Sequence, residues 1–497
     1  MNSIDNDLLS IQEARILVEN ARDAQRKLAA FPQKKLDEIV ERMARAVYKH
    51  TRELAVLSSE ETDFGKWQDK YVKNQFVCEY LPKKLKEMTC VGIINENTSE
   101  KTMDIGVPVG VIIGLNPATS PVSTTIYKAL IAIKSGNAII FSPHPRAKNT
   151  VARTMDILIQ AAQRSGLPEG ALSYLQSVTH SGTLELMNHP STSLIMNTGV
   201  PGMLQAAKNS GKPVIYGGNG NGPVFIERTA DIQQAVRDII SSKTFDNGVV
   251  SAAEQSIVVE RCIDEEVKRE LQANGAYFMS EEEARKFITL YYPKNGNANA
   301  EMVGKHAEEL ARRTGFHVPE GTSVLISEQR FVSESNPYSQ ELLCPVMSYY
   351  IENDWMNACE KCIELLISEK NGHTLVIHSM DETVIRQFAL KKPVARMLVN
   401  TPATLGSMGV TTNLFPAMTL GSGSTGAGIT TDNVSPMNLI YIRKVGYGVR
   451  KPEDFAALGV YQEEKLSKSA CSEKAATFKP EDLEMLRQIL LAALKGS

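Results

Sequence analysis

Apolar positions recur at helical spacing from near the start of the chain. Ile11, Ala14, Leu17, Val18 and Ala21 make one stripe. Leu36, Ile39, Val40, Met43 and Val47 make another, which predicts two or three helices over residues 8–60. Residues 88–105 show the alternation of a β-hairpin with a polar turn at 95–99. At residue 107 the rhythm changes. Short β-branched runs at 109–114, 138–141, 193–196, 213–216 and 224–226 alternate with helical stretches near 121–134, 147–165, 201–209 and 229–242. That alternation implies a parallel sheet covered on both faces, hence a doubly wound nucleotide-binding domain. A second α/β unit is predicted over 243–428, with strands at 256–259, 323–326, 346–351, 374–378 and 397–399. A late extended segment, 438–445, follows the glycine-rich stretch 421–428.

The C-terminal end has a different pattern. Residues 463–477 are polar and rich in Ser, Lys, Glu and Ala, the composition of a linker. Pro480 with Glu481 and Asp482 then marks a helix start. Leu483, Leu486, Ile489, Leu490 and Leu494 form a single apolar stripe beyond it. A short helix cannot bury such a stripe against itself, so it needs a partner.

Composition narrows the function classes. A chain of 497 residues with 42% hydrophobic and 22% charged residues reads as a soluble enzyme of two or three domains. A net charge of −3 offers no basic surface for nucleic acid. The longest apolar runs, such as 107–115, are too short to cross a bilayer. The N-terminus lacks the basic and apolar regions of a signal peptide, which points to the cytoplasm. The seven cysteines are scattered, as a reducing compartment allows. Cys359 and Cys362 share a helical face with Ala358, Leu365 and Leu366, so they read as buried thiols; no metal site is expected.

The nucleophile loop and six further motifs carry the chemistry. F-D-N-G-V-V-S-A-A-E-Q at 245–255 resembles the nucleophile loop of the CoA-acylating aldehyde dehydrogenases, F-D-N-G-x-x-C-A-x-E-Q, with Ser251 where that family has its catalytic cysteine. G-L-N-P-A-T at 114–119 matches the family segment whose asparagine donates to the oxyanion. The resemblance therefore gives Asn116 and the Ser251 amide that role. I-I-F-S-P-H-P at 139–145 matches the strand end beside the adenosine ribose, implicating Ser142, Pro143 and His144; by itself His144 also fits a surface turn. N-T-G-V-P-G at 197–202 matches the loop beside the dinucleotide, implicating Thr198, Gly199 and Gly202. Glycines before a helix N-terminus can receive a pyrophosphate. Y-G-G-N-G-N-G-P at 216–223 resembles the segment where hydrolytic members carry a water-activating glutamate, with Gly217 near that place and Gly218 beside it. The absence of that glutamate favours CoA, a thiol that ionises near pH ~8.5, over water as acyl acceptor. E-L-L-C-P-V at 341–346 resembles E-x-F-G-P, whose glutamate binds the nicotinamide ribose. That role falls on Glu341, although Leu343 and Cys344 depart from the motif. Arg396 to Pro402 and the glycine-rich 419–426 resemble the substrate strand and closing segment. His373, in G-H-T, recurs in the family but as a lone histidine reads first as structural.

The resemblance runs over roughly residues 10–450. It implies the α/β aldehyde dehydrogenase fold: a nucleotide-binding domain at 1–242 carrying the hairpin 88–105, a catalytic domain at 243–428 and a β oligomerisation arm at 429–450. A linker at 451–478 and an amphipathic tail helix at 479–497 would follow. It also implies NAD (with NADP not excluded) and coenzyme A, a short-chain aldehyde substrate such as propionaldehyde or acetaldehyde, and a homodimer or homotetramer. The tail resembles the encapsulation peptides that carry such enzymes into bacterial microcompartments, with shell proteins as partners; self-packing is the competing reading. A serine hydroxyl stays protonated at neutral pH, and no general base for it is legible in the sequence. The expectation is a scaffold that binds its cofactor but has lost acylating activity by several orders of magnitude. Both an engineered replacement and a natural pseudoenzyme account for Ser251. The reading from another class is a non-catalytic nucleotide-binding cargo protein.

Overall fold

The computed structural model describes residues 5–218, 220–293, 298–368, 372–452, 454 and 479–493. The chain forms two units, Met1–Asn95 with Asp104–Arg443, and Glu96–Met103 with Lys444–Ser497.

The first unit opens with four helices, Asn6–Leu28, Gln33–Tyr48, Thr51–Thr62 and Trp67–Lys86. The two predicted stripes are their buried faces: Ala14, Val18 and Ala21 on the first, and Leu36, Ile39, Val40, Met43 and Val47 on the second. Strands β1 (Gly92–Asn97) and β2 (Thr102–Pro108) follow, so the hairpin turn falls at 98–101, slightly later than its polar composition suggested.

A five-stranded parallel sheet comes next. It consists of β3 (Val111–Leu115), β4 (Ala138–Ser142), β5 (Leu172–Tyr174), β6 (Thr192–Asn197) and β7 (Val214–Tyr216), in the order β5-β4-β3-β6-β7. The central strands β3 and β4 are buried along their whole length, as continuous apolar runs require when helices cover both faces. One covering helix, Pro121–Lys134, is buried at every residue. The order reverses direction at β3, the kind of switch point where ligands settle beyond the carboxyl ends of the strands.

A seven-stranded parallel sheet takes β8 (Gly222–Ile226), β9 (Glu254–Glu260), β10 (Ala276–Phe278), β11 (Val324–Glu328), β12 (Val346–Glu352), β13 (Thr374–His378) and β14 (Arg396–Val399), in the order β10-β11-β12-β9-β8-β13-β14. The sequence reading places the strand at 224–226 with the nucleotide-binding domain; β8 instead pairs with β9 and β13. The chain therefore changes sheets in the glycine loop after Tyr216, which puts that loop between the two layers. The three-residue strands β5 and β10 were too short to be legible as apolar runs. Strand β15 (Ile440–Gly446) completes a three-stranded sheet in the order β1-β2-β15, joining the two segments expected to form the arm.

In the second unit the described C-terminal element is the helix Pro480–Ala493. The linker lies almost wholly outside the described residues. So does Leu494 of the tail stripe, and the side chain of Leu490 is not described. No described helix is long and apolar enough to cross a membrane.

Candidate active site

Ser251 sits at the end of a strained turn. The helix Ile232–Thr244 runs into a tight segment in which Asp246 (φ 52°), Asn247 (φ 51°) and Gly248 (φ 73°) are all left-handed. Two consecutive non-glycine residues in that region cost of order 1–3 kcal/mol each and persist only where their surroundings hold them. Here the Asp246 carboxylate is fully buried. Its Oδ1 accepts from the Lys66 amide at 2.7 Å, and its Oδ2 receives Lys70 Nζ at 3.0 Å and Lys73 Nζ at 2.6 Å. The Asp246 amide donates to Asp69 at 2.7 Å, and the Asn247 side chain donates to Gly304 O at 2.9 Å. Burial pushes Lys70 down to about 8, partly offset by Asp246. The same lysines reach the far wall of the site: Lys70 donates to Thr119 O and Lys73 to Ser120 Oγ. Nothing in the sequence marks this network, because no local pattern distinguishes Lys70 and Lys73 from exposed lysines.

A cavity of about 140 Å³ opens over Ser251. The predicted residues Thr198, Gly199, Gly217, Gly218 and Glu341 line it, together with His373. At Gly218 and Gly220 the glycine loop is packed too tightly for a side chain. A Cβ on Gly220 would lie 1.6 Å from Ser251 O, while the Gly220 amide donates to Glu341 Oε1 at 3.0 Å. Asn219, between them, is outside the described residues. Behind Glu341, buried Lys243 donates to Gln255 Oε1 at 3.0 Å and to Leu342 O at 3.1 Å, and the Leu342 amide returns to Gln255 Oε1 at 3.0 Å. This clamp ties the Glu341 segment to the Gln255 that ends the nucleophile motif.

The position of His373 overturns the expectation that the serine has no base beside it. His373 Nε2 is 3.2 Å from Ser251 Oγ, and its Nδ1 is 2.8 Å from Thr374 Oγ1. Burial first, then the nearby Arg396, holds the imidazole down at about 3, so it is neutral at pH 7. Arg396 donates to His373 O at 2.7 Å and to Gly421 O at 3.0 Å, fixing the histidine against the glycine-rich closing segment. The recurrent G-H-T was the available signal; what was missing was that β13 begins beside the nucleophile turn.

Asn116 is placed differently from expectation. It is buried, its Nδ2 donates to Thr125 Oγ1 at 2.8 Å, and its Oδ1 has no partner among the described residues. It lines a second cavity of about 150 Å³ together with Ser142, Pro143 and His144, not the cavity over Ser251. Pro117, Thr119, Ser120 and Thr124, just beyond it, line the cavity over Ser251 instead. In the second cavity Ser142 Oγ is 2.8 Å from Thr183 Oγ1. His144 Nδ1 accepts from the Arg146 amide at 3.1 Å, which leaves the neutral ring's proton on Nε2; burial, then Arg146, lowers its proton affinity. Gly202 joins neither cavity. It is exposed, a Cβ there would touch nothing, and the helix after it, Leu204–Asn209, is only six residues long. The pyrophosphate argument from a helix dipole therefore fails at that position.

These loops leave the carboxyl ends of β3, β4, β6 and β7, where doubly wound sheets hold dinucleotides. The fit is supported by the unpartnered Asn116 Oδ1 in one cavity and by the glycine cradle of the other.

Comparison with known proteins agrees with this architecture. Residues 8–309 match the aldehyde dehydrogenase family. The chain is 39% identical over 436 residues to the bifunctional aldehyde-alcohol dehydrogenase AdhE of Escherichia coli (strain K12), a match covering 87% of this chain and 49% of that one. It thus spans about half the length of the curated relatives it matches first. Among solved structures, a probable aldehyde dehydrogenase from Listeria monocytogenes EGD-e is 46% identical with a TM-score of 0.89, covering 91% of this chain and all of that one. An acetylating aldehyde dehydrogenase from Geobacillus thermoglucosidasius is 42% identical with a TM-score of 0.87, covering 90% and 99%. Matched by family over more than half its length and by structure over nearly all of the two layers that enclose Ser251, the chain belongs to the aldehyde dehydrogenase family.

Proposed function

We propose that this chain has the scaffold of an acylating aldehyde dehydrogenase, which converts a short-chain aldehyde, CoA and NAD⁺ to acyl-CoA and NADH through an acyl group held at position 251. We propose also that Ser251 leaves it largely without that activity. The observation that carries the reading is the glycine loop: Gly217 and Gly218 line the cavity where hydrolytic members carry a water-activating glutamate, and neither brings a carboxylate. An acyl group made there is left for an acceptor that needs less activation than water, such as a thiol.

The cavity also supports the substrate class. Val250, Leu343, Met408, Met418 and Leu420 give it apolar walls, and among the described residues no lysine or arginine lines it. A short uncharged aldehyde fits such a wall, whereas an aldehyde carrying an anionic group would lose hydration without a partner. Glu341 is the residue for the nicotinamide ribose, and Ser142, Pro143 and His144 those for the adenosine end. When bound, the nicotinamide supplies the hydride acceptor. The residues of the chain hold the aldehyde carbonyl over position 251, exclude water and present His373 Nε2 to the nucleophile's proton.

The test compares NADH production from propionaldehyde and CoA by the chain and by Ser251→Cys. Turnover confined to the cysteine variant, by a factor of roughly 10³ or more for loss of the nucleophile, is the expected result. Equal rates would remove Ser251 from the nucleophile position. The tail favours a second, compatible reading as microcompartment cargo. Leu483, Met485, Leu486, Ile489 and Leu491 are each at least 45% exposed, an apolar set that awaits a partner.

A further inference from the structure

Ser251 and His373 have the geometry of a pair that could be used without any redox step. A nucleophile within hydrogen-bond reach of a base, with the base oriented by a third group, is the arrangement that activates hydroxyls for acyl transfer. Ser251 Oγ lies 3.2 Å from His373 Nε2, and Thr374 Oγ1 lies 2.8 Å from Nδ1 on the other side of the ring. With Nδ1–H donated to Thr374, Nε2 is left as the acceptor for the serine proton. Arg396 fixes the histidine backbone through its carbonyl, so the ring is held at its root as well as at Nδ1. The ring is neutral at pH 7, which leaves the Nε2 lone pair free, although burial makes it a weak base and the reaction correspondingly slow. The apolar cavity above has room for a short acyl chain.

We propose that Ser251, with His373 as its base, accepts the acyl group of a short-chain acyl-CoA thioester and becomes an O-acyl serine. The proposal rests on the reading that the cavity admits acyl-CoA. In the forward step Ser251 Oγ attacks the thioester carbonyl and its proton passes to His373 Nε2. The tetrahedral adduct collapses by breaking the C–S bond, and the departing CoA sulfur takes the proton from Nε2. One ester forms, one thioester breaks, one CoA thiol is released, and nothing is oxidised or reduced. An oxygen ester is the more stable acyl derivative, so transfer runs toward the serine and return to CoA is uphill. Release to water is slow, because the glycine loop brings no carboxylate. Among the described lining residues the single carboxylate is Glu341, which accepts the Gly220 amide. The thiol of the family loop would form a second thioester and pass the group back to CoA. The serine instead makes the chain a stoichiometric acyl trap.

The test incubates the full chain with propionyl-CoA and no nicotinamide. It follows free thiol with a chromogenic disulfide, the bound acyl group by intact mass, and its position by peptide mapping. The expected result is release of up to one CoA per chain with one propionyl group on the peptide containing Ser251. Ser251→Ala should give none. His373→Gln should slow the burst by roughly 10²-fold or more at saturating propionyl-CoA, the usual worth of a general base. Binding of propionyl-CoA without an ester on Ser251, while Ser251→Cys does form its thioester, overturns the proposal and leaves the acylating reading standing. An unchanged burst in His373→Gln overturns the assignment of the base. Failure of the chain and of Ser251→Cys alike to bind propionyl-CoA overturns the acylating reading and this proposal with it.

Discussion

At the scale of single residues, the replacement of a thiol by a hydroxyl changes which reaction the same cavity favours. A thiol near its ordinary pKa has a fraction of thiolate at neutral pH and needs little help, whereas a hydroxyl needs a base at the moment of attack. The sequence disclosed the serine at once, because the motif around it is long and contiguous. It did not disclose His373, 122 positions away, because a lone G-H-T says nothing about what lies beside it. His373 also makes a prediction about pH. The folded chain holds His373 at about 3 and His378 at about 4, below the ordinary 6.5, mainly by burial. As pH falls below 6.5 the unfolded chain takes up these protons and the folded chain does not. The histidines therefore favour folding fully above pH 6.5, and that contribution is lost progressively toward about pH 3. Glu254, raised to about 7 by burial, acts in the opposite sense. The clean readout is therefore a difference: between pH 7 and pH 5, His373→Gln should lose less of its urea midpoint than the unchanged chain. Parallel losses would mean that the imidazole already binds its proton in the folded state.

At the scale of elements, the nucleophile turn shows how a sequence signal and its physical reason can be separated. F-D-N-G was recognisable as a motif. The reason for its aspartate is visible only in three dimensions, where Asp246 neutralises Lys70 and Lys73 and anchors a left-handed run to the helix Trp67–Lys86. Removing one member of such a group strands the others in a dry interior. Asp246→Ala should therefore destabilise the chain by about 3–5 kcal/mol in urea unfolding. A loss below about 1 kcal/mol would show that water reaches the lysines. The glycine loop makes a complementary prediction about geometry. Gly220→Ala would push a methyl group into Ser251 O. Placed in the Ser251→Cys background, it should cost roughly 10²-fold in turnover, the scale expected for a displacement of about 1 Å at a reacting group. Calorimetric NAD⁺ affinity measured in parallel distinguishes a displaced nucleophile from a collapsed site. Most predicted strands and helices fell within two or three residues of their observed bounds, because apolar, β-branched runs set between helical stretches mark buried parallel strands clearly. The misplacement of β8 had a specific cause: nothing local in V-F-I at 224–226 says which of two equally apolar sheets it joins.

At the scale of the whole molecule, the last question is what the C-terminal helix is for. The helix Pro480–Ala493 carries Leu483, Leu486 and Ile489 at 59%, 45% and 60% exposure, spaced three apart on one side. An isolated 14-residue helix in water is marginal on backbone terms alone, so this one gains its stability from whatever covers that side. Its charges, Glu481, Asp482 and Glu484 against Arg487 and Lys479, are mixed, which gives an anionic membrane surface little to attract. A protein groove that receives an amphipathic helix fits both features. We propose a microcompartment shell protein as that partner. Deleting residues 463–497 should then abolish co-purification with the shell while leaving NAD⁺ affinity and the thermal midpoint of the remaining chain within error. The two measurements are needed together. A helix that covers its own chain or a second copy would, once deleted, expose apolar surface and lower the midpoint or shift the oligomeric state. A helix that serves only the shell leaves both untouched, and unchanged co-purification after the deletion would end the targeting proposal.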